Sequence, residues 1–172
     1  MESKLSVIPT VKAHLNTLRD DTSGRLQRSD FAVFYVVPIA VGVAMWLLGV
    51  RLSEIGGYLG GLAVFTALLF ALVIFVFQLR VQISDDSRFD RSSTLFELID
   101  QIFSNVCYAV VIGVLTTGLG VVAVTLTDGT EGAPAPLSSA LAAFALHLVL
   151  TIFMCIKRIQ AAYCEVAAIT SR

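Results

Sequence analysis

Four stretches of the 172-residue sequence carry no Asp, Glu, Lys or Arg: Phe31 to Val50, Ile55 to Leu79, Gln101 to Thr127 and Gly132 to Ile156, of 20, 25, 27 and 25 residues. A helix needs about 20 mostly apolar residues to cross a hydrocarbon layer of about 30 Å. Each stretch reaches that length, and no remaining segment is long enough to bury a core of its own. Apolar residues make up 56% of the chain and charged ones only 15%, against about 25% charged in a water-soluble domain. The sequence therefore predicts an all-α membrane protein of four transmembrane helices, with spans near 31–50, 55–79, 101–127 and 136–156. An ordinary soluble enzyme is excluded, and a net charge of −1 argues against nucleic-acid binding through overall basicity.

The charges outside these stretches are segregated. Lys4, Lys12, Arg19, Arg25 and Arg28 precede the first span, Arg80, Arg88 and Arg91 lie between the second and third, and Lys157, Arg158 and Arg172 follow the fourth. The other two connections hold a single basic residue, Arg51. The positive-inside bias then puts both termini and the middle loop in the cytoplasm and leaves two short outer turns. The resulting organisation is a cytoplasmic amphipathic segment over 1–30, a membrane domain over 31–156 with a cytoplasmic loop at 80–100, and a helical tail over 157–172. The first 30 residues lack an early apolar stretch and a small-residue cleavage site, so the first span is expected to act as its own insertion signal.

Local punctuation agrees with these boundaries. Ser29 and Asp30 stand where a side chain caps the first span, and Thr127, Asp128 and Gly129 end the third. Pro134, Pro136 and Ser138 introduce the fourth. Pro38 removes an intrahelical bond and predicts a kink. Thr94 and Glu97 have capping-box spacing ahead of Leu95, Leu98, Ile99, Ile102 and Phe103, so the third helix should start near Leu95 and project below the membrane. Ile159, Ala162, Tyr163, Val166 and Ala167 continue the fourth helix past Lys157 and Arg158. Upstream, Thr10 could cap a short helix carrying Val11, Leu15 and Leu18 and ending near Ser23 and Gly24. These pieces form either a helical collar making protein contacts or interfacial helices lying on lipid.

Chemical motifs are sparse. No span holds an ionised side chain in its interior, as ion-coupled carriers usually do. Nucleophile-elbow, zinc-protease and phosphate-loop patterns are missing from the sequence, so no catalytic residue, metal site or cofactor is expected. Cys107, Cys155 and Cys164 have no paired spacing and read as reduced packing residues. What remains is polar: His147 near the centre of the fourth span, Thr116 and Thr117 near the centre of the third, and Thr66 in the second. These groups seek hydrogen-bond partners in hydrocarbon, either as plain interhelical bonds or at a water-filled path where His147 could gate. Gly57 and Gly61, with Gly56, Gly60, Gly113, Gly118 and Gly120, supply close-packing surfaces within one subunit or between subunits.

Arg80, Arg88, Arg91, Lys157 and Arg158 all fall at the inner face, beside Asp85, Asp86 and Asp90. The positive-inside bias and anionic lipid account for such a cluster. The same guanidinium forks also match phosphate oxygens, which makes these residues candidate contacts for a phosphate-bearing ligand.

Asp30-Phe31 with Pro38, Phe96 and Asn105 ahead of the third span, and Ile156-Lys157-Arg158-Ile159 followed by Tyr163 carry a resemblance over almost the whole chain. The pattern resembles the compact four-helix membrane effectors of bacterial anti-phage defence, in particular those of nucleotidyltransferase-linked systems such as Hailong, and more loosely the Kiwa membrane component. The resemblance implies a homo-oligomeric pore in the bacterial inner membrane, in contact with membrane lipid and controlled by a nucleotide or oligonucleotide ligand or a phage-linked signal. It also implies a nucleotidyltransferase partner encoded nearby, and ligand contacts at Arg80, Arg88, Arg91, Lys157 and Arg158. Two other readings of the residues are a non-conducting scaffold that recruits a partner and a membrane enzyme acting on lipid. The second is disfavoured because acidic and nucleophilic groups do not converge in the sequence.

Overall fold

The computed structural model describes residues 6–17, 31–86, 94–127 and 132–170. These form α1 (Ile8–Asn16), a π-helical turn (Ala32–Val36) that runs into α2 (Val37–Leu47), α3 (Ile55–Asp85), α4 (Thr94–Thr125) and α5 (Ala135–Thr170). The described residues are all-helical, without a β-strand. Helices α3, α4 and α5, of 31, 32 and 36 residues, are apolar and long enough to cross a membrane. At 1.5 Å per residue they extend about 46, 48 and 54 Å, well beyond a hydrocarbon layer of about 30 Å.

The first expected span differs. Its helical part covers Ala32–Leu47 and ends in a turn where Gly49 takes φ +65°, so it reaches only about 24 Å. Helix extends into the expected cytoplasmic connection of 80–100 from both sides. α3 runs on to Asp85 because Arg80 Nη1 donates to Ser84 Oγ one turn away, and Arg80 pairs with Asp100 of α4. The start of α4 at Thr94 and the continuation of α5 past Arg158 follow the sequence reading. α1 begins two residues before Thr10, with Pro9 in its first turn, where a missing N–H costs nothing. Leu18, Ser23, Gly24, Ser29 and Asp30, and Asp128 and Gly129, lie outside the described residues.

α4 is the centre of the molecule. Its buried positions Leu95, Ile99, Ile102, Val106, Ala109, Gly113, Thr116, Gly120 and Ala123 alternate in steps of four and three, the seam of a left-handed helix pair. The facing stripe of α3 is Ile55, Leu62, Leu69, Val76 and Ile83, one residue every seven. Glycine lets the two helices close: a Cβ on Gly113 would stand 2.7 Å from Thr66 Oγ1. α5 packs on α4, α2 packs on α5, and α1 packs on α4. The four apolar helices therefore follow one another as α3, α4, α5, α2, and among the described residues α2 and α3 have no close backbone approach although they are consecutive in sequence.

The connection between α2 and α3 crosses the start of α5 to make this order possible. Leu52 accepts a backbone bond from Ala133 at 2.9 Å and donates to Ser138 Oγ at 3.0 Å. Gly132, at φ +73°, is required there, since a Cβ would meet the Leu52 carbonyl oxygen at 2.7 Å.

Candidate functional site

A buried polar network occupies the end of the bundle where α1 docks. α1 is nine residues long, too short to hold its shape alone in water, so its helix depends on the surface it rests on. His14 is fully buried there. Its Nδ1 lies 2.8 Å from Asn105 Oδ1, and its ring stacks on Tyr108 with centroids 3.8 Å apart and planes within 4°. Asn105 and Tyr108 are neighbours because i and i+3 share a helix face. Thr17 Oγ1 stands 2.7 Å both from Asn105 Oδ1 and from the His14 carbonyl. Arg158 of α5 donates to the Thr17 carbonyl and to Gln101 Oε1, placing a cation at the C-terminal end of α1 where free carbonyls attract it.

Tyr108 joins this cluster to α5 and to the π turn ahead of α2. His147 Nδ1 lies 2.7 Å from the backbone carbonyl of Phe34, so that nitrogen carries the proton and donates. Nε2 is then the acceptor, and Tyr108 donates its hydroxyl to it at 2.8 Å. The Phe34 carbonyl is open to this bond because Pro38, four residues on, has no N–H to return to it. The π turn over Ala32–Val36 belongs to the same disturbance. Burial deep in the site lowers the His14 pKa from 6.5 to about 4; the bond to Asn105 opposes this, while His147 and Arg158 add to it.

Beside His147 a cavity of about 300 Å³ opens between α2 and α4, floored by α5 and lined by Phe34, Tyr35, Pro38, Tyr108, Ile112 and Phe144 among others. A second cleft of about 220 Å³, between α3 and α5 over α4, is lined by apolar residues such as Leu79, Ile83, Ile99, Ile159 and Val166, with Tyr163. Among the described residues, no three His, Cys, Asp or Glu side chains gather as metal ligands.

The residues singled out from sequence are not brought into one site. Thr66, Thr116 and Thr117 donate to the carbonyls of Leu62, Ile112 and Gly113 in their own helices, at 2.8, 2.7 and 2.9 Å. Both ring nitrogens of His147 are engaged elsewhere, with Tyr108 and Phe34. A hydroxyl can bond back one turn without leaving its helix, and that satisfies it at no cost in register. Among the candidate ligand contacts, Arg80 Nε meets Asp100 Oδ1 at 2.7 Å and its guanidinium covers the Phe96 ring at 4.6 Å. Arg158 is committed to α1, Lys157 is exposed, and Arg88 and Arg91 lie outside the described residues.

Sequence reasoning missed His14, Tyr108 and Tyr35, and used Asn105 only as part of a resemblance. Cys107, Cys155 and Cys164 are free, the second of them buried. The chain matches no protein-family model, no curated protein and no solved structure.

Proposed function

We propose that the protein is a multi-pass effector of the bacterial inner membrane in which α1 is the signal-responsive part. The observation that supports this reading most is the polar path from His14 through Asn105 and Tyr108 to His147 and the Phe34 carbonyl. It links a helix of low apolar content to three apolar ones, α4, α5 and the π turn leading into α2. In the proposed topology Ala32–Leu47 and its flanks make a fourth, short membrane segment, both termini face the cytoplasm, and α1 docks at the cytoplasmic end. A signal that binds better when α1 is released shifts the equilibrium by that difference in affinity. Release frees Asn105 and one face of Tyr108, and through Tyr108 it loosens the hold of His147 on α2.

Among the described residues the helix row encloses no pore, and it leaves α2 and α3 with broad exposed faces. Conduction would therefore require several copies around a shared axis, in line with the resemblance to defence effectors. Arg88, Arg91 and Lys157 remain the proposed contacts for a nucleotide-derived signal made by a nucleotidyltransferase partner. The apolar cleft beside Tyr163 supports a second reading, a non-conducting scaffold that seats a partner there. Purified protein reconstituted into liposomes separates the two. Dye-reported ion flux, changed by a release of α1, is the result expected of the effector; inserted protein without flux in either state rejects it and favours the scaffold.

A further inference from the structure

We propose that α1 is a proton-released latch: uptake of one proton by the His14 imidazole expels α1 from its seat on Asn105 and Tyr108. The proposal rests on the reading of α1 as the moving part and names the signal that moves it.

The seat is built for a neutral ring. One nitrogen of His14 has a partner, Asn105, and the other, Nε2, is buried without any. Turning the Asn105 amide over exchanges which of its atoms faces Nδ1 but gives Nε2 nothing, because that atom points away from the amide. A protonated imidazole donates from both nitrogens and needs two acceptors. Tyr108 offers only its ring face, since its hydroxyl is committed to His147.

Among the described residues, the charged and titratable groups facing His14 do not compensate a second proton. From α5 come the Arg158 guanidinium and His147; from α4 come Tyr108 and the neutral Asn105. On α1 itself Lys12 is exposed and positive. The carboxylates on the neighbouring turns of α4, Glu97 and Asp100, are engaged with Gln101 and Arg80. A charged His14 would therefore be desolvated, short of one acceptor and close to a fixed cation, whereas in the undocked helix water satisfies it.

Linkage sets the range. The docked imidazole titrates near pH 4 and the released one near its ordinary 6.5. Docking is at full strength above pH 6.5. Below that it weakens about tenfold per pH unit until about pH 4, a total of about 300-fold. A low docked pKa thus makes acid the releasing condition.

The test uses full-length protein in phosphatidylethanolamine and phosphatidylglycerol vesicles, with spin labels on Lys12→Cys and Thr94→Cys after replacing the three native cysteines by Ala. Pulsed electron-spin distances are read from pH 7.5 to 4.5 alongside ion flux. A single short distance at pH 7.5 that gives way to a longer one, with a midpoint between 4 and 6.5, is expected; His14→Gln should hold the short distance throughout. An unchanged distance in the otherwise native chain, or the same transition in His14→Gln, overturns the latch. Should the Gln variant fail to dock at pH 7.5, the imidazole resonances of the chain's two histidines decide. His14 must titrate at the midpoint of the distance change, and a separate midpoint rejects the proposal. A distance change without flux keeps the latch and rejects the conducting effector; flux without a distance change does the reverse.

Discussion

Pro38 and Phe34 show how one missing hydrogen can organise a site. Without an N–H at position 38, the Phe34 carbonyl would be short of a partner in an apolar setting, and His147 reaches across from α5 to supply one. His147→Ala should therefore cost about 1 to 3 kcal/mol by leaving that carbonyl and the Tyr108 hydroxyl unpaired. In a Pro38→Ala background the new amide pairs the carbonyl within the helix, and the same truncation should cost less by about 1 kcal/mol. A double-mutant cycle of unfolding in mixed micelles measures the difference. Asn105→Ala should strip the docked α1 of its hydrogen-bond anchor, at about 1 to 3 kcal/mol, and hydrogen exchange should show a matching loss of protection confined to α1. The polarity of His147 was visible in the sequence, but its partners were not. Depth matching paired it with Thr116 and Thr117, and hydroxyls that bond to their own helix leave no trace in residue spacing. His14 escaped notice because a lone histidine in a polar segment looks solvated until α4 is laid over it.

Among the elements, the extent of α4 and α5 was legible because capping spacing and helical periodicity extend beyond the charge-free stretches. The inward face of α3 was not. Almost every residue between Leu62 and Val76 is apolar, so hydrophobicity alone has no period there. Contact with α4 selects Leu62, Leu69 and Val76, and the marks of that face are Thr66 and the opposing Gly113. Glycines accordingly divide into two groups. Gly113→Ala should destabilise the helix pair, because a Cβ meets Thr66 Oγ1 at 2.7 Å. Gly56, Gly57, Gly60 and Gly61 have open space where a Cβ would stand, so an Ala at any of them should leave packing within the chain unaltered. Gly132→Ala should cost more than about 1 kcal/mol, since it combines a positive φ with a backbone collision at Leu52. Protease sensitivity of the α2–α3 connection, together with detergent unfolding, checks it. The short first helix was overestimated from sequence because apolar residues Leu48 and Val50 continue past the point where Gly49 turns the chain.

For the whole molecule, the sequential contact order α3, α4, α5, α2 matters more than the number of helices. Charge-free lengths indicate how many segments can enter a membrane but are silent on which ones touch, and consecutive segments are ordinarily neighbours. Here the crossing connection held by Leu52, Ala133 and Ser138 separates α2 from α3. One cleft lies beside His147 and another beside Tyr163. α1 braces α4 at the end where Arg158 of α5 also grips it, so its position bears on two adjacent members of the row. On the proposed function, this brace restrains the apolar helices. Its most direct test is the inner-membrane potential, followed with a voltage-sensitive dye in bacteria expressing the native chain or Asn105→Ala at equal inserted amounts. The account predicts a held potential with the native chain and depolarisation, without added signal, with Asn105→Ala. Equal potentials, with α1 shown to be released in the variant, would contradict it.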